Sequence, residues 1–270
     1  MKNKSSLMAD AWGALKQNKA ALFSFVTMSV MVVLVILGPL LSPFAIDQTD
    51  WYQLSAKPSF SSGHIFGTDD LGRDLFVRVM YGGRISLMVG LVATMVSVFI
   101  GVSYGAISGY LGGKTDAIMM RVVDVLYAMP FLFFVILLMV FFGRSILLIF
   151  IAIGAVNWLD IARIVRGQTL NIKGKEFVDA ARAGGVSNIK IVFKHIVPNL
   201  LGLVVVYVAL TVPQVILVES FLSFLGLGVQ EPMTSWGALV NQGAKQMETS
   251  PWMLIFPGLF LATTLFMLEI

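Results

Sequence analysis

Six stretches of this chain stay apolar for about the length a helix needs to cross a bilayer: 20–41, 85–111, 122–142, 145–165, 196–218 and 252–270. A hydrocarbon core about 30 Å thick takes about 20 residues at 1.5 Å each. Inside it every backbone N–H and C=O must find a partner within the protein, so such runs are helices. Barrel strands are about 10 residues long and alternate in polarity, and these runs do not alternate. The expected fold is therefore all-α, a polytopic membrane protein with six transmembrane helices. Only 13% of the residues are charged, against about 25% in a soluble domain.

The first run, Ala20 to Leu41, is too long for a signal-peptide core, and no A-x-A site follows it. It reads as an uncleaved span behind a basic segment, 1–19. With that segment in the cytoplasm, the inner segments are 1–19, 112–121 and 163–195, and they carry 13 of the 19 Lys and Arg residues. The outer loops, 42–84, 143–144 and 219–251, carry the other six. This bias places both termini in the cytoplasm. It also accounts for the net charge of +4 without a nucleic-acid partner.

Several functions are excluded. The chain has no cysteine and only two histidines, so it has no disulfide, no thiolate catalysis, no Cys-ligated metal and no His cluster. His64 and His195 lack metal-type partners in the sequence. No nucleophile is paired with a base, so no catalytic residue is assigned and the chain is not expected to be an enzyme. No G-x-x-x-x-G-K-[ST] occurs, so ATP is not hydrolysed on this chain.

The loop 42–84 holds turn residues and then GTDDLGRDLFVRVMYGGR. Thr68 or Asp69 is expected to cap a short amphipathic helix whose apolar residues Leu71, Leu75, Phe76 and Val79 lie along the membrane interface. In 219–251, the run FLSFLGLG is too short to cross and reads as a re-entrant or surface element. Gly101 and Gly105 in the second span form a G-x-x-x-G that permits close helix approach. Asp124 is an intramembrane carboxylate, either lining a path or paired with Arg121 one turn earlier, which is the preferred reading. Asp160, near the end of the fourth span, has the same two readings: it lines a path or pairs with Arg163 or Arg166, and the pair is again preferred. Glu219 closes the fifth span and is a second candidate gate residue, with an interface position as its alternative.

Residues 176–198, EFVDAARAGGVSNIKIVFKHIVP, form a polar, basic island between the fourth and fifth spans. Phe177, Ala180, Ala181 and Gly184 share one face of a helix that Gly184-Gly185 ends. Ser187 then caps a second helix with Ile189, Val192, Phe193 and Ile196 on one stripe, and Pro198 marks the start of the next span. Two readings remain open from the residues alone. The island is a connector resting on lipid, or it is a docking element that transmits movement from a soluble partner.

The island resembles the EAA loop of ABC importer permeases: Asp179-Ala180-Ala181, three residues, Gly185, nine residues, then His195-Ile196-Val197-Pro198. It departs from that pattern by Asp for Glu, His for Ile and Val for Leu. The HIVP variant, with FGTDDLGRDLFVRVMYGGRISL (66–87), ESFLSFLGLGVQEP (219–232) and SWGALV (235–240), is similar to the C-type membrane subunits of the oligopeptide and dipeptide branch. The resemblance covers most of the chain.

It implies a type I importer transmembrane domain over 85–270 with 176–198 as its coupling loop. It also implies a bacterial cytoplasmic (inner) membrane location and a heterodimer with a homologous permease subunit. Two cytoplasmic ATPases would hold ATP and Mg, an extracytoplasmic binding protein would deliver peptide, and this chain would carry no cofactor. Glu176, Phe177, Asp179, Ala180, Ala181, Gly185 and Pro198 would couple to the ATPases. Nickel or antimicrobial-peptide import within the family is the alternative, and a self-sufficient secondary transporter is the rival class. The resemblance further implies a short cytoplasmic tail with a GDGLRD-like sequence after the last span. The sequence stops at Ile270, inside or at the end of that span.

Overall fold

The computed structural model describes residues 12, 13, 15–143 and 145–270. Most of the basic segment 1–19, including Lys2 and Lys4, lies outside these described residues. Helices make up the regular structure among them, with two isolated β-bridges, Thr49–Arg73 and Thr68–Asp74. The helices are α1 (Lys19–Leu41), α2 (Leu75–Leu111), α3 (Gly113–Tyr127), α4 (Phe131–Phe142), α5 (Ile146–Ile172), α6 (Glu176–Ala183), α7 (Asn188–Ile191), α8 (Val197–Phe224), α9 (Trp236–Lys245) and α10 (Trp252–Glu269). A π-helical turn, Val192–Ile196, joins α7 to α8. Four helical segments are long and apolar enough to cross a membrane: α1, α2, the α7–α8 rod and α10. The pair α3 and α4 makes a fifth if counted as one broken span. This tally is compatible with six spans, because α5 runs over the fourth predicted one.

The third predicted span, 122–142, is not one straight helix. It divides into α3 and α4, bent by 83°. Pro130 explains the break: it lacks an N–H and its ring disfavours helical geometry at Met129.

The chain forms two compact units, one from the described residues up to Ser86 with Ser220–Ile270, the other Leu87–Glu219. In the first unit, Asn18 caps α1, its Oδ1 accepting from the N–H groups of Ala20 and Ala21 at 3.1 and 3.2 Å. Most of the large apolar residues of α1 are exposed, as a lipid-facing helix requires. Pro39 has no N–H to give the Val35 carbonyl four residues back. Arg84 supplies the donor instead: its Nε meets the Val35 carbonyl at 2.9 Å and its Nη2 the Ile36 carbonyl at 2.5 Å.

The GTDDLGRDL segment does not form a separate interfacial helix. Asp74 caps α2, accepting from the Val77 N–H at 2.8 Å, and α2 then runs unbroken to Leu111. Leu75 and Val79 are buried and pack on protein rather than lipid, while Leu71, expected on the same face, precedes the helix and is exposed. Gly82-Gly83 does not break the helix. These glycines make room for α9: a Cβ at Gly83 would stand 2.6 Å from the Trp236 ring. Thr68 and Asp69 cap nothing on this helix. The FLSFLGLG run is likewise no re-entrant element, because its first four residues are the last turn of α8. Gly226 at φ +77 then reverses the chain.

In the second unit, Gly101, Gly105 and Gly109 bring α2 against α5. A Cβ at Gly101 would stand 2.7 Å from the Ile161 Cβ, and one at Gly109 would stand 2.8 Å from the Arg166 carbonyl. The expected close approach is thus realised, three glycines deep.

Candidate functional site

The island folds as two short helices, α6 and α7, that pack on each other. Gly184 ends α6 and Gly185 takes φ +75. The Gly185 N–H donates to the Arg182 carbonyl at 3.0 Å, and the Val186 N–H to the Ala181 carbonyl at 3.1 Å. This pair of bonds is a Schellman motif, which satisfies carbonyls left open at a helix end. No atom lies within 4 Å of a Cβ at Gly185, so the constraint there is backbone conformation rather than space. Ser187 precedes α7 in extended geometry without a side-chain cap bond; its carbonyl accepts from the Ile191 N–H at 2.9 Å.

One side of the island is anchored. Val178, Ile191, Val192 and Ile196 are buried with Val102, Ala106 and Tyr110 of α2 and Ile161 and Val165 of α5. Ala181 is half-buried against the same cluster. The Tyr110 hydroxyl meets the Asn188 Oδ1 at 3.1 Å, and the Arg182 guanidinium lies 5.8 Å from the centre of the Tyr110 ring.

The opposite side is bare. Phe177 is 41% exposed, and Ala180 and Gly184 on its stripe are exposed too. Ile189 is 71% and Phe193 45% exposed. The sequence-expected stripe of the second helix therefore splits: Val192 and Ile196 turn inward, Ile189 and Phe193 outward. The π turn shifts the register of the residues from Val192 onward, while Ile189, before it, already faces outward. The turn holds an i→i+5 bond from the Val197 N–H to the Val192 carbonyl, and so departs from a 3.6-residue period. It sits where Pro198 removes a donor from the helical ladder. The Asn199 side-chain amide donates to the His195 carbonyl at 2.6 Å.

Through that turn α7 and α8 form one 37-residue helical rod, Asn188–Phe224, roughly 55 Å long at 1.5 Å per residue. Pro198 lies inside the rod rather than at a break. Glu176 and Asp179 are exposed at the start of α6, and Asp179 meets Arg182 at 3.1 Å.

Sequence reasoning missed a ring of polar ties beneath the island. Arg166 of α5 donates two bonds to Asp116 of α3, both 2.5 Å, and the Ser108 hydroxyl donates a third to Asp116 at 2.5 Å. The Lys173 ammonium donates to the Gly109 carbonyl at 3.0 Å. Asp124 does not pair with Arg121. Its partner is Arg163 of α5 at 2.9 Å, which also lies 4.4 Å from the centre of the Tyr127 ring. Asp160 in turn pairs with neither Arg163 nor Arg166. Both arginines are drawn across to α3, which presents Asp124 and Asp116 beside them in the opposite chain direction. Glu219 is fully buried within α8, which continues to Phe224, so it neither closes that helix nor meets water in this chain.

A second polar cluster lies in the first unit. Asp69 meets Arg73 at 2.7 Å and Arg78 at 3.4 Å. Arg73 meets Glu231 at 3.0 Å, and Arg78 donates to Gln242 at 3.1 Å. His64 meets Asp74 at 2.8 Å, both buried. The Trp252 and Trp236 indole N–H groups donate to the Thr68 and Val79 carbonyls at 3.1 and 2.9 Å. The hydrogen bond from Arg73 holds the Glu231 carboxyl below its ordinary range, against the opposing effect of partial burial. Burial pulls the Arg73 guanidinium down, but Glu231 and Asp69 outweigh it and hold it up. Four charged residues of the motifs at 66–87 and 219–232, Asp69, Arg73, Arg78 and Glu231, thus tie two loops together, a role that spacing along the chain does not reveal. No group of three or more potential metal ligands occurs among the described residues.

Residues 101–270 match the family described as binding-protein-dependent transport system inner membrane component. Residues 6–58 match the N-terminal TM domain of oligopeptide transport permease C. The chain is 57% identical to the oligopeptide transport system permease protein OppC of Haemophilus influenzae, over 97% of this chain and 84% of that one. It is 60% identical to the OppC of Escherichia coli K12, over 97% and 86%. It is 44% identical to the dipeptide transport system permease protein DppC of Bacillus subtilis, over 97% and 81%. An all-helical chain with a two-helix island at Asp179-Ala180-Ala181 and Gly185, matched over nearly its whole length, thus belongs to the binding-protein-dependent inner membrane permeases of ABC importers, in the oligopeptide permease C branch.

Proposed function

We propose that this chain is one membrane half of an ATP-driven oligopeptide importer and that α6–α7 is the surface on which a cytoplasmic ATPase acts. One observation carries the proposal. The island is held on one side by Val178, Ile191 and Ile196, while Phe177, Ala180 and Gly184 stand exposed on the other. Small residues flanking one ring make a face that fits a groove on protein, and an apolar face left bare marks an interaction site. The names of the relatives supply the substrate class.

In this reading Phe177 inserts into the ATPase, and Ala180 allows close approach. Glu176 and Asp179 keep the start of α6 negative, which suits a helix N-terminus. Ala181 and Gly185 fix the angle between α6 and α7. Force on α7 passes without a joint into α8, because the rod 188–224 is continuous. A homologous permease subunit completes the path, two ATPases with ATP and Mg power it, and an extracytoplasmic binding protein delivers peptide. The island and both termini face the cytoplasm of the bacterial inner membrane, with lipid around the spans. This chain performs no chemistry itself and holds no cofactor.

Proteoliposomes holding the complete set of subunits test the proposal. ATP-dependent uptake of a labelled peptide is expected, and none from this chain alone. Phe177→Asp is expected to leave membrane insertion intact while the ATPases no longer co-purify and uptake is lost. Ion-gradient-driven uptake by the chain alone overturns the proposal in favour of a secondary transporter. Undiminished ATPase binding and uptake in Phe177→Asp overturns the docking role.

A further inference from the structure

A cavity of ≈ 260 Å³ opens between α5 and α8 in the second unit, lined by five polar residues, Asn157, Asp160, Tyr207, Thr211 and Gln214, among apolar ones. The hydrogen-bond bookkeeping gives this cavity a sign. The Asn157 amide gives one N–H to the Ile153 carbonyl at 3.1 Å and keeps its second N–H and its oxygen, so it can still donate and accept. The Thr211 hydroxyl proton is spent on the Tyr207 carbonyl at 2.6 Å, which leaves its oxygen to accept as well. Asp160 is exposed, and among the described residues no cation stands within ion-pair distance of it. The nearest basic residues on α5, Arg163 and Arg166, are engaged by Asp124 and Asp116. Asp160 and Thr211 thus offer acceptors only, one of them anionic, and a carboxylate without a counter-ion near the end of a predicted span is by default a hypothesis of function.

We propose that this cavity is a station for the cationic group of a peptide in transit, with Asp160 as counter-ion to its ammonium. Asn157 Oδ1 and Thr211 Oγ1 accept from peptide N–H groups, while Tyr207 and Gln214, able both to donate and to accept, adapt to the rest of the backbone. The ammonium is that of the amino terminus or that of a lysine side chain. The proposal rests on the peptide-import reading above.

The test uses the complete transporter in proteoliposomes, with saturating binding protein preloaded with labelled tri-lysine or tri-alanine. ATP-dependent uptake by the wild type is established first; its absence is a failure of the import reading, and the station falls with it. Asp160→Asn is expected to slow uptake about tenfold, one charge-assisted hydrogen bond's worth, with ATP hydrolysis in the absence of peptide unchanged. Slowing of tri-lysine alone identifies the side-chain ammonium. Slowing of both peptides, with both restored by Asp160→Glu, identifies the terminal ammonium. Gln214→Leu is expected to slow the same peptide more mildly, and provides a second variant on the facing helix. Unchanged uptake of both peptides in Asp160→Asn overturns the proposal. So does slowing of both that Asp160→Glu does not restore, because that pattern belongs to a packing defect.

Discussion

Arg166 grips Asp116 with both arms of its guanidinium, Nε to Oδ1 and Nη2 to Oδ2, each at 2.5 Å. The pair crosses from α5 to α3, and the Ser108 hydroxyl of α2 closes it from a third helix. Three helices are therefore pinned at one carboxylate. Paired planar groups of this kind give geometric specificity as well as energy.

Arg166→Ala should destabilise the chain by about 1.5–3 kcal/mol, the range for hydrogen bonds to charged groups. It leaves the buried Asp116 carboxylate with Ser108 as its remaining bonded partner. Arg166→Lys should recover only part of this, since an ammonium cannot make the paired contact. Denaturant midpoints in detergent, measured for both variants, check the order. Equal midpoints for alanine and wild type would show that the grip contributes nothing.

Gly185→Leu should uncouple the transporter, leaving ATP hydrolysis while uptake is lost. The reason is φ +75, a conformation that costs an L-residue roughly 1–2 kcal/mol. Asparagine tolerates that region better, so Gly185→Asn should retain most uptake. Uptake and hydrolysis assayed side by side distinguish the two, and equal behaviour of leucine and asparagine would contradict the backbone explanation.

Arg84 and Pro39 should be coupled. Arg84→Leu strips the donor from the Val35 carbonyl that Pro39 already deprives of its helical partner, at about 1–3 kcal/mol for an unsatisfied group. In the Pro39→Ala background an N–H returns to that carbonyl, so the same Arg84→Leu change should be milder. A double-mutant cycle on thermal stability measures the difference.

Glu231 should give the protein an acid-sensitive contribution. Arg73 holds its carboxyl below the ordinary value, about 4.3 for glutamate. A lowered folded value means a contribution fully present above the unfolded value and lost as pH falls through the folded one. The apparent melting temperature of the wild type should exceed that of Glu231→Gln near neutral pH. The gap should close as the pH is taken below about 4. A gap independent of pH would place the effect elsewhere.

Helical class and the island's turn were legible because they rest on local chemistry. Apolar runs, a Gly-Gly pair and a proline each act within a few residues, and Gly185 takes the left-handed turn its position called for. The helix faces were less legible. Of the expected face Phe177, Ala180 and Gly184 stand exposed, but Ala181 is half-buried against the core, and the sequence does not say that the face stays bare while Val178 anchors. The second stripe, from Ile189 to Ile196, splits in the structure: a π turn changes the period from Val192 onward, and Ile189 before it already faces outward. Charge partners were the least legible. Asp124 lies one turn from Arg121 in sequence yet pairs with Arg163, 39 residues away.

By itself the sequence determined the membrane-spanning helical class and the place of the two-helix island. These follow from hydrophobic length, residue inventory and the conformational limits of glycine and proline, all properties of short segments. The tertiary structure alone decided which carboxylates are spent and which is left over. Asp116 and Asp124 are taken by arginines of a neighbouring helix, and Asp160 is left lining a cavity with Asn157, Tyr207, Thr211 and Gln214. Ion pairs form between whichever charges packing brings within reach, and packing is a property of the assembled helices rather than of any one of them.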